Sequence, residues 1–228
     1  MTGPPRGRPR AEPRDEQRDR IVRAARAAFT ARGYDAVSLS GVAREAGVAR
    51  TTVYDVVGSK EHLLGAVADQ VADELIAAVD ERFSLPDEDT RPLDDVILDN
   101  IRGIFELIGS EPSYTAIIRL SGRIAGDGED AVSRARRRIE DRLTELHATR
   151  ARAFGVERAA TARVVSVALL AMLEAVVIRT GEDGWDALAV ADLIGEFAVG
   201  GYLRTELRGT AESFEAAATG RGAGVPRS

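Results

Sequence analysis

Apolar residues recur at spacings of three and four along most of the chain, the period of an amphipathic helix, and few segments alternate as strands do. The first such stripe is Ile21, Ala24, Ala25, Ala28 and Phe29, ended by Gly33, because glycine accepts a left-handed conformation without a Cβ clash. Ser38 stands where a helix N-cap belongs, ahead of Leu39, Val42, Ala43 and Ala46 on one face. Gly47 turns the chain, Val48 plugs the turn, and a third short helix is predicted over Arg50 to Val56 with Val53 facing the core. Ser59 caps a longer helix, Lys60 to Phe83, whose inner row is Leu64, Val67, Ala68, Val71, Leu75 and Ala78. Pro86 to Pro92, loaded with acids, breaks the pattern and reads as a loop.

Beyond that loop the helical period resumes. Leu93 to Ile108 aligns Ile97, Ile101, Ile104, Phe105 and Ile108, and Ser110, Glu111 and Pro112 start a helix carrying Tyr114, Ile117, Ile118 and Leu120. Ala125 to Glu129 is a glycine-bearing loop, and Glu129 to Phe154 forms a long charged helix with Val132, Ala135, Ile139, Leu143, Leu146 and Ala153 in a row. Its arginines 134, 136, 137 and 138 are expected on a solvated face. Residues 157–180 are apolar nearly all round, which predicts burial on several sides. Trp185 to Leu207 forms the last helix, where glycines 195, 200 and 201 permit close approach. Two late, very apolar helices suggest an interface as well as a core, the alternative being a completed monomer core. The predicted fold is all-α: a three-helix N-terminal domain over 15–60, a helical domain over 61–208, a disordered basic arm over 1–14 and a disordered tail over 209–228.

Composition narrows the class. The 228 residues include no cysteine, which excludes disulfides and suits a reducing cytoplasm, and no long uncharged apolar run supports a membrane span. The net charge of −6 is unevenly spread: residues 1–60 carry twelve Lys and Arg against seven Asp and Glu, leaving nineteen against thirty in the rest. A head of +5 on a body of −11 is what a nucleic-acid-binding domain joined to a domain of another purpose shows.

Short helix, glycine turn, short helix is the helix-turn-helix pattern. Its third helix leaves Arg50, Thr51, Thr52 and Tyr54 outside, residue types that hydrogen-bond to base edges and phosphates in a major groove. Ser38 and Ser40 join them as candidate DNA contacts. Asp55 is read as facing away from the duplex, accepting from a cytosine amino group, or pairing with Arg50. Arg6, Arg8 and Arg10 lie in an RGRPR segment that suits insertion into a narrow A·T-rich minor groove or looser phosphate contact.

From Ile21 to about Val67 the chain resembles the TetR family of transcriptional regulators. The resemblance rests on Ala24, Ala25, Phe29, Gly33, Tyr34, Ser38, Val42, Ala43, Ala46, Gly47, Val48, Thr52, Val53, Tyr54, Ser59, Lys60, Glu61, Leu63 and Leu64. It departs at Ala49, where the family usually has a capping serine, and at Asp55, Val56 and Val57, where aromatics are usual. The resemblance implies that Lys60 contacts phosphate, and that the last two helices pair with a second subunit through Val165, Leu169, Met172, Val176, Ile194 and Phe197. It also implies a small-molecule pocket in the body, for which Phe105, Tyr114, Ile118, Met172 and Glu174 lie on inward faces. Glu174, a carboxylate inside an apolar run, is expected to pair with Arg179 or a partner-subunit arginine, or else to meet a cationic or hydroxylated ligand.

The function these features point to is a homodimeric, ligand-responsive repressor of a near-palindromic operator, without a cofactor or a metal. The alternatives are a DNA-binding architectural protein with no effector and a helical magnesium-dependent enzyme. The latter would use Asp94, Asp95 and Asp99, but no second metal motif accompanies them. His62 and His147 lack metal-ligand spacing.

Overall fold

The structure is a computed structural model that describes residues 13–83, 91, 93–120, 131–153 and 159–202. Arg6, Arg8 and Arg10, most of the 86–92 loop, the 125–129 loop and the 209–228 tail lie outside the described residues, as do the side chains of Asp94, Ile97, Leu120, Ala153 and Ala198. Every regular element among the described residues is helical: α1 (Arg14–Arg32), α2 (Leu39–Ala46), α3 (Arg50–Val57), α4 (Lys60–Phe83), α5 (Leu93–Ser110), α6 (Pro112–Leu120), α7 (Ala131–Ala153), α8 (Ala159–Asp183) and α9 (Ala187–Tyr202). The chain divides into two compact units after Val67, within α4.

In the first unit α1, α2 and α3 pack on one another around Ile21, Ala25, Phe29, Val42, Val53, Leu63 and Leu64, all buried. The side chain of Ser38 accepts the Gly41 N–H at 3.1 Å, a cap worth about 1 kcal/mol to an eight-residue helix. Gly47 ends α2 in the left-handed region (φ 64°, ψ 34°) and returns its N–H to the α2 carbonyls. A side chain at that φ would be strained, so the turn requires glycine. Ala49 supplies no side-chain cap to α3, as the sequence indicates.

In the second unit α5 packs most extensively on α9, and α7 on α8. Gly195 makes the first pairing close: a Cβ there would lie 2.6 Å from Leu98 Cδ2. Some helix ends differ from the sequence expectation. Helix α9 begins at Ala187, leaving Trp185 ahead of it, because Asp186 Oδ1 accepts the N–H groups of Leu188 and Ala189 at 2.9 and 3.0 Å. Helix α3 reaches Val57, one residue beyond the expected end, where Gly58 closes it on the Tyr54 carbonyl. Nor is α8 buried evenly: Ala162, Ser166, Leu170, Leu173 and Val177 form the covered row, while Val164, Ala168, Ala171 and Ala175 are exposed.

Candidate nucleic-acid interface

Helix α3 is anchored by one side chain. Val53 is 0% exposed, and with it inward Arg50, Thr51, Tyr54 and Asp55 stand exposed while Thr52 is half-buried. One turn apart, Arg50 and Tyr54 act together: Arg50 Nη2 donates to the Tyr54 hydroxyl at 3.2 Å, and the guanidinium carbon lies 5.4 Å from the ring centroid. An exposed contact of this kind contributes about 0.5–1 kcal/mol and holds the guanidinium outward with donors to spare. The pairing of Arg50 with Asp55 suggested by charge is thus replaced by the i,i+4 neighbour, which five-residue spacing cannot match. Asp55 instead offers its main-chain oxygen to Arg14 Nη2 at 2.8 Å.

At the start of α2, Ser38 spends its hydroxyl oxygen on the cap, and Ser40 is exposed beside it. Lys60 is half-buried, its ammonium 4.3 Å from the Tyr34 ring centroid and 3.4 Å from the Asp35 carbonyl oxygen. Tyr34 packs its ring 5.5 Å from that of Phe29 and donates its hydroxyl to Glu61 Oε1 at 3.2 Å. Burial and then the adjacent Glu61 carboxylate push the Tyr34 pKa up to about 12. The Glu61 carboxyl is held below its ordinary range, chiefly by a hydrogen bond from its own backbone N–H and then by one from the Ser59 side chain. Arg8 and Arg10 lie outside the described residues.

The residues expected to contact an effector are all in the second unit. Phe105 and Tyr114 are buried, Ile118, Met172 and Glu174 half-buried. Tyr114 donates to Glu74 Oε2 at 3.3 Å, joining α6 to α4. Glu174 is paired within the chain, receiving Arg136 Nε on both oxygens at 2.9 and 3.1 Å. Arg136 also donates to Glu140, 3.2 Å away. The arginine cluster of α7 is therefore no plain solvated face. Arg138 engages Asp69 and Asp73 of α4, and Arg142 reaches Asp80 at 2.6 Å. Sequence reading missed this ladder because its acids lie some sixty residues away. Ser166, 0% exposed, donates to the Ala162 carbonyl at 2.8 Å and sits 2.7 Å from Nδ1 of the half-buried His147.

Of the expected interface residues, Val165, Leu169, Met172 and Val176 are half-buried along the edge of the exposed α8 row. Phe197 is 69% exposed, as is its neighbour Leu193 at 70%. Ile194, by contrast, is 7% exposed and belongs to the chain's own core.

A three-helix unit whose exposed third helix begins with Arg50 has the layout of a helix-turn-helix domain, and a second helical unit follows it in the chain. Residues 21–67 match the family described as bacterial regulatory proteins, tetR family. The HTH-type transcriptional regulator AlkX of Mycobacterium tuberculosis is 28% identical over 133 residues, 56% of this chain. The chain spans 62% of that relative, under two thirds of its length. Among solved structures, the transcriptional regulator FadR from Bacillus subtilis, crystallised with stearoyl-CoA, is similar at a TM-score of 0.65 and 16% identity, over 79% of this chain and 97% of its own. The TetR family repressor AlkX from a Dietzia strain is similar at 0.56 and 20% identity, over 84% of this chain and 97% of its own. At these identities the structural likeness speaks for the fold.

Proposed function

We propose that the chain is a cytoplasmic transcriptional repressor that binds a near-palindromic operator as a homodimer and leaves it when a small molecule binds the helical body. The observation that carries this reading is α3, an eight-residue helix with Val53 buried and Arg50, Thr51 and Tyr54 outward. Arg50 reads bases, since a guanidinium offers two parallel donors to guanine, while Lys60 and Tyr54 contact phosphate. Two copies joined through the exposed faces of α8 and α9 carry two such helices, and half-sites on one face of the duplex lie about 34–36 Å apart. An effector acts by favouring a conformation in which α4 holds the heads at another spacing, with a coupling of about 1–3 kcal/mol. Support for a body that responds is its polar wiring to α4 through Tyr114, Arg138 and Arg142.

The test is selection of duplexes from a random library by the full chain, followed by anisotropy titrations over a range of salt. Arg50→Ala is expected to reduce the preference for the selected site by about 1–3 kcal/mol, with little change for random duplexes. Lys60→Ala weakens both and flattens the salt dependence by about one charge. Equal loss on both duplexes from Arg50→Ala rules out its role in reading bases. Cell metabolites that leave the selected complex untouched count against an effector.

A further inference from the structure

Helix α1 begins at Arg14, seven residues before the segment shared with the family, and those extra turns carry a contact the shared segment lacks. Arg14 Nη2 donates to the Asp55 main-chain oxygen at 2.8 Å, across 41 residues of sequence. The acceptor is one of the last four carbonyls of α3, which a helix cannot satisfy internally. Its neighbours are closed locally, Tyr54 O by the Gly58 N–H and Val57 O by the Ser59 N–H, both at 3.0 Å. A guanidinium at this end also complements the negative pole of the helix. The opposite end has no side-chain cap, and eight residues are too few for a helix to hold its own shape.

We infer that Arg14 is a positioning residue for DNA reading, acting through the Asp55 carbonyl to fix the carboxyl end of α3 and so the angle at which Arg50 and Tyr54 face the groove. This rests on the proposed role of α3. The tie goes to the main chain, so the Asp55 side chain remains outward and exposed. Arg14 is itself exposed, and its role is local.

The experiment compares the full-length wild type with Arg14→Ala in two measurements. In the DNA-free protein, hydrogen exchange over residues 50–58 speeds up in the variant while α1 and α5 to α9 are unchanged. Against duplexes, affinity for the selected site falls about 5- to 30-fold, the scale of one charge-assisted hydrogen bond, and random duplexes lose far less, with the salt slope kept. Unchanged exchange over 50–58 overturns the inference. So does an equal loss on both duplexes with a slope shallower by about 0.9, which is the signature of a phosphate contact. A wild type with no sequence preference overturns the proposed function and this inference together. A wild-type preference that Arg14→Ala retains overturns this inference alone.

Discussion

Tyr34 shows how a single residue ties the head together. Its ring lies against Phe29, its hydroxyl meets Glu61, and the Lys60 ammonium sits over its face. Burial, and then the Glu61 carboxylate beside which ionisation would put a second anion, push its pKa up to about 12 against the usual 10.0. The folded pKa is raised, so the stabilising contribution is complete below about pH 10 and is lost as the pH climbs toward 12. Absorbance titration at 295 nm should show one of the four tyrosines ionising near pH 12 in the folded wild type, a step missing from Tyr34→Phe. Four tyrosines titrating together near pH 10 would refute the contact. Sequence placed Tyr34 and Lys60 in the right motif, but their mutual contact depends on how the loop after α1 folds back on the start of α4. Arg50 and Tyr54 were more accessible to sequence reading, since four residues on a helix always bring two side chains together.

Among the elements, α9 is the most instructive, because one face belongs to the chain and the other is uncovered. Gly195 lets it approach α5 so closely that a methyl group would collide with Leu98. Gly195→Ala is expected to cost up to about 1 kcal/mol in urea unfolding at fixed protein concentration, since the Leu98 side chain must move aside and the helix propensity gained by alanine offsets part of that cost. Because the obstacle is the flexible end of Leu98, combining the change with Leu98→Ala should cost less than the two single effects added. Strict additivity means that the close approach is not what the glycine serves. Glycine at 195 already signals proximity in the sequence; only the fold identifies Leu98 as the neighbour. The start of α9 teaches a similar lesson. Trp185 continues the apolar trend and looks helical, yet the Asp186 carboxylate caps the first turn and leaves the indole outside.

At the scale of the molecule, the large exposed apolar side chains among the described residues are, besides Tyr54, all late in the chain: Val164, Trp185, Leu188, Leu193 and Phe197. Water-facing groups of this size on neighbouring helices favour association, and a symmetric pair of heads suits a two-fold site. For the proposed homodimer, Leu193→Glu with Phe197→Glu should yield a monomer by light scattering, still helical, with much weaker binding to the selected duplex. A protein that stays dimeric with both changes uses another surface. The charge asymmetry, +5 over residues 1–60 and −11 over the remainder, fits the proposed division of labour, in which only the head meets phosphates.

Sequence alone determined the order of helices, the caps and turns of the head, and which side chains of α3 point outward, because these follow from a 3.6-residue period and from what glycine and serine do to a backbone within a few residues. Tertiary structure decided the partners. Ile194 and Phe197 are both apolar and three residues apart, yet one is 7% exposed and the other 69%, according to what lies against each side of α9. Likewise Arg136 finds Glu174 thirty-eight residues away, and Arg138 finds Asp69 and Asp73. Periodicity assigns a residue to a face, whereas the occupant of the space opposite is set by the packing of segments distant in the chain.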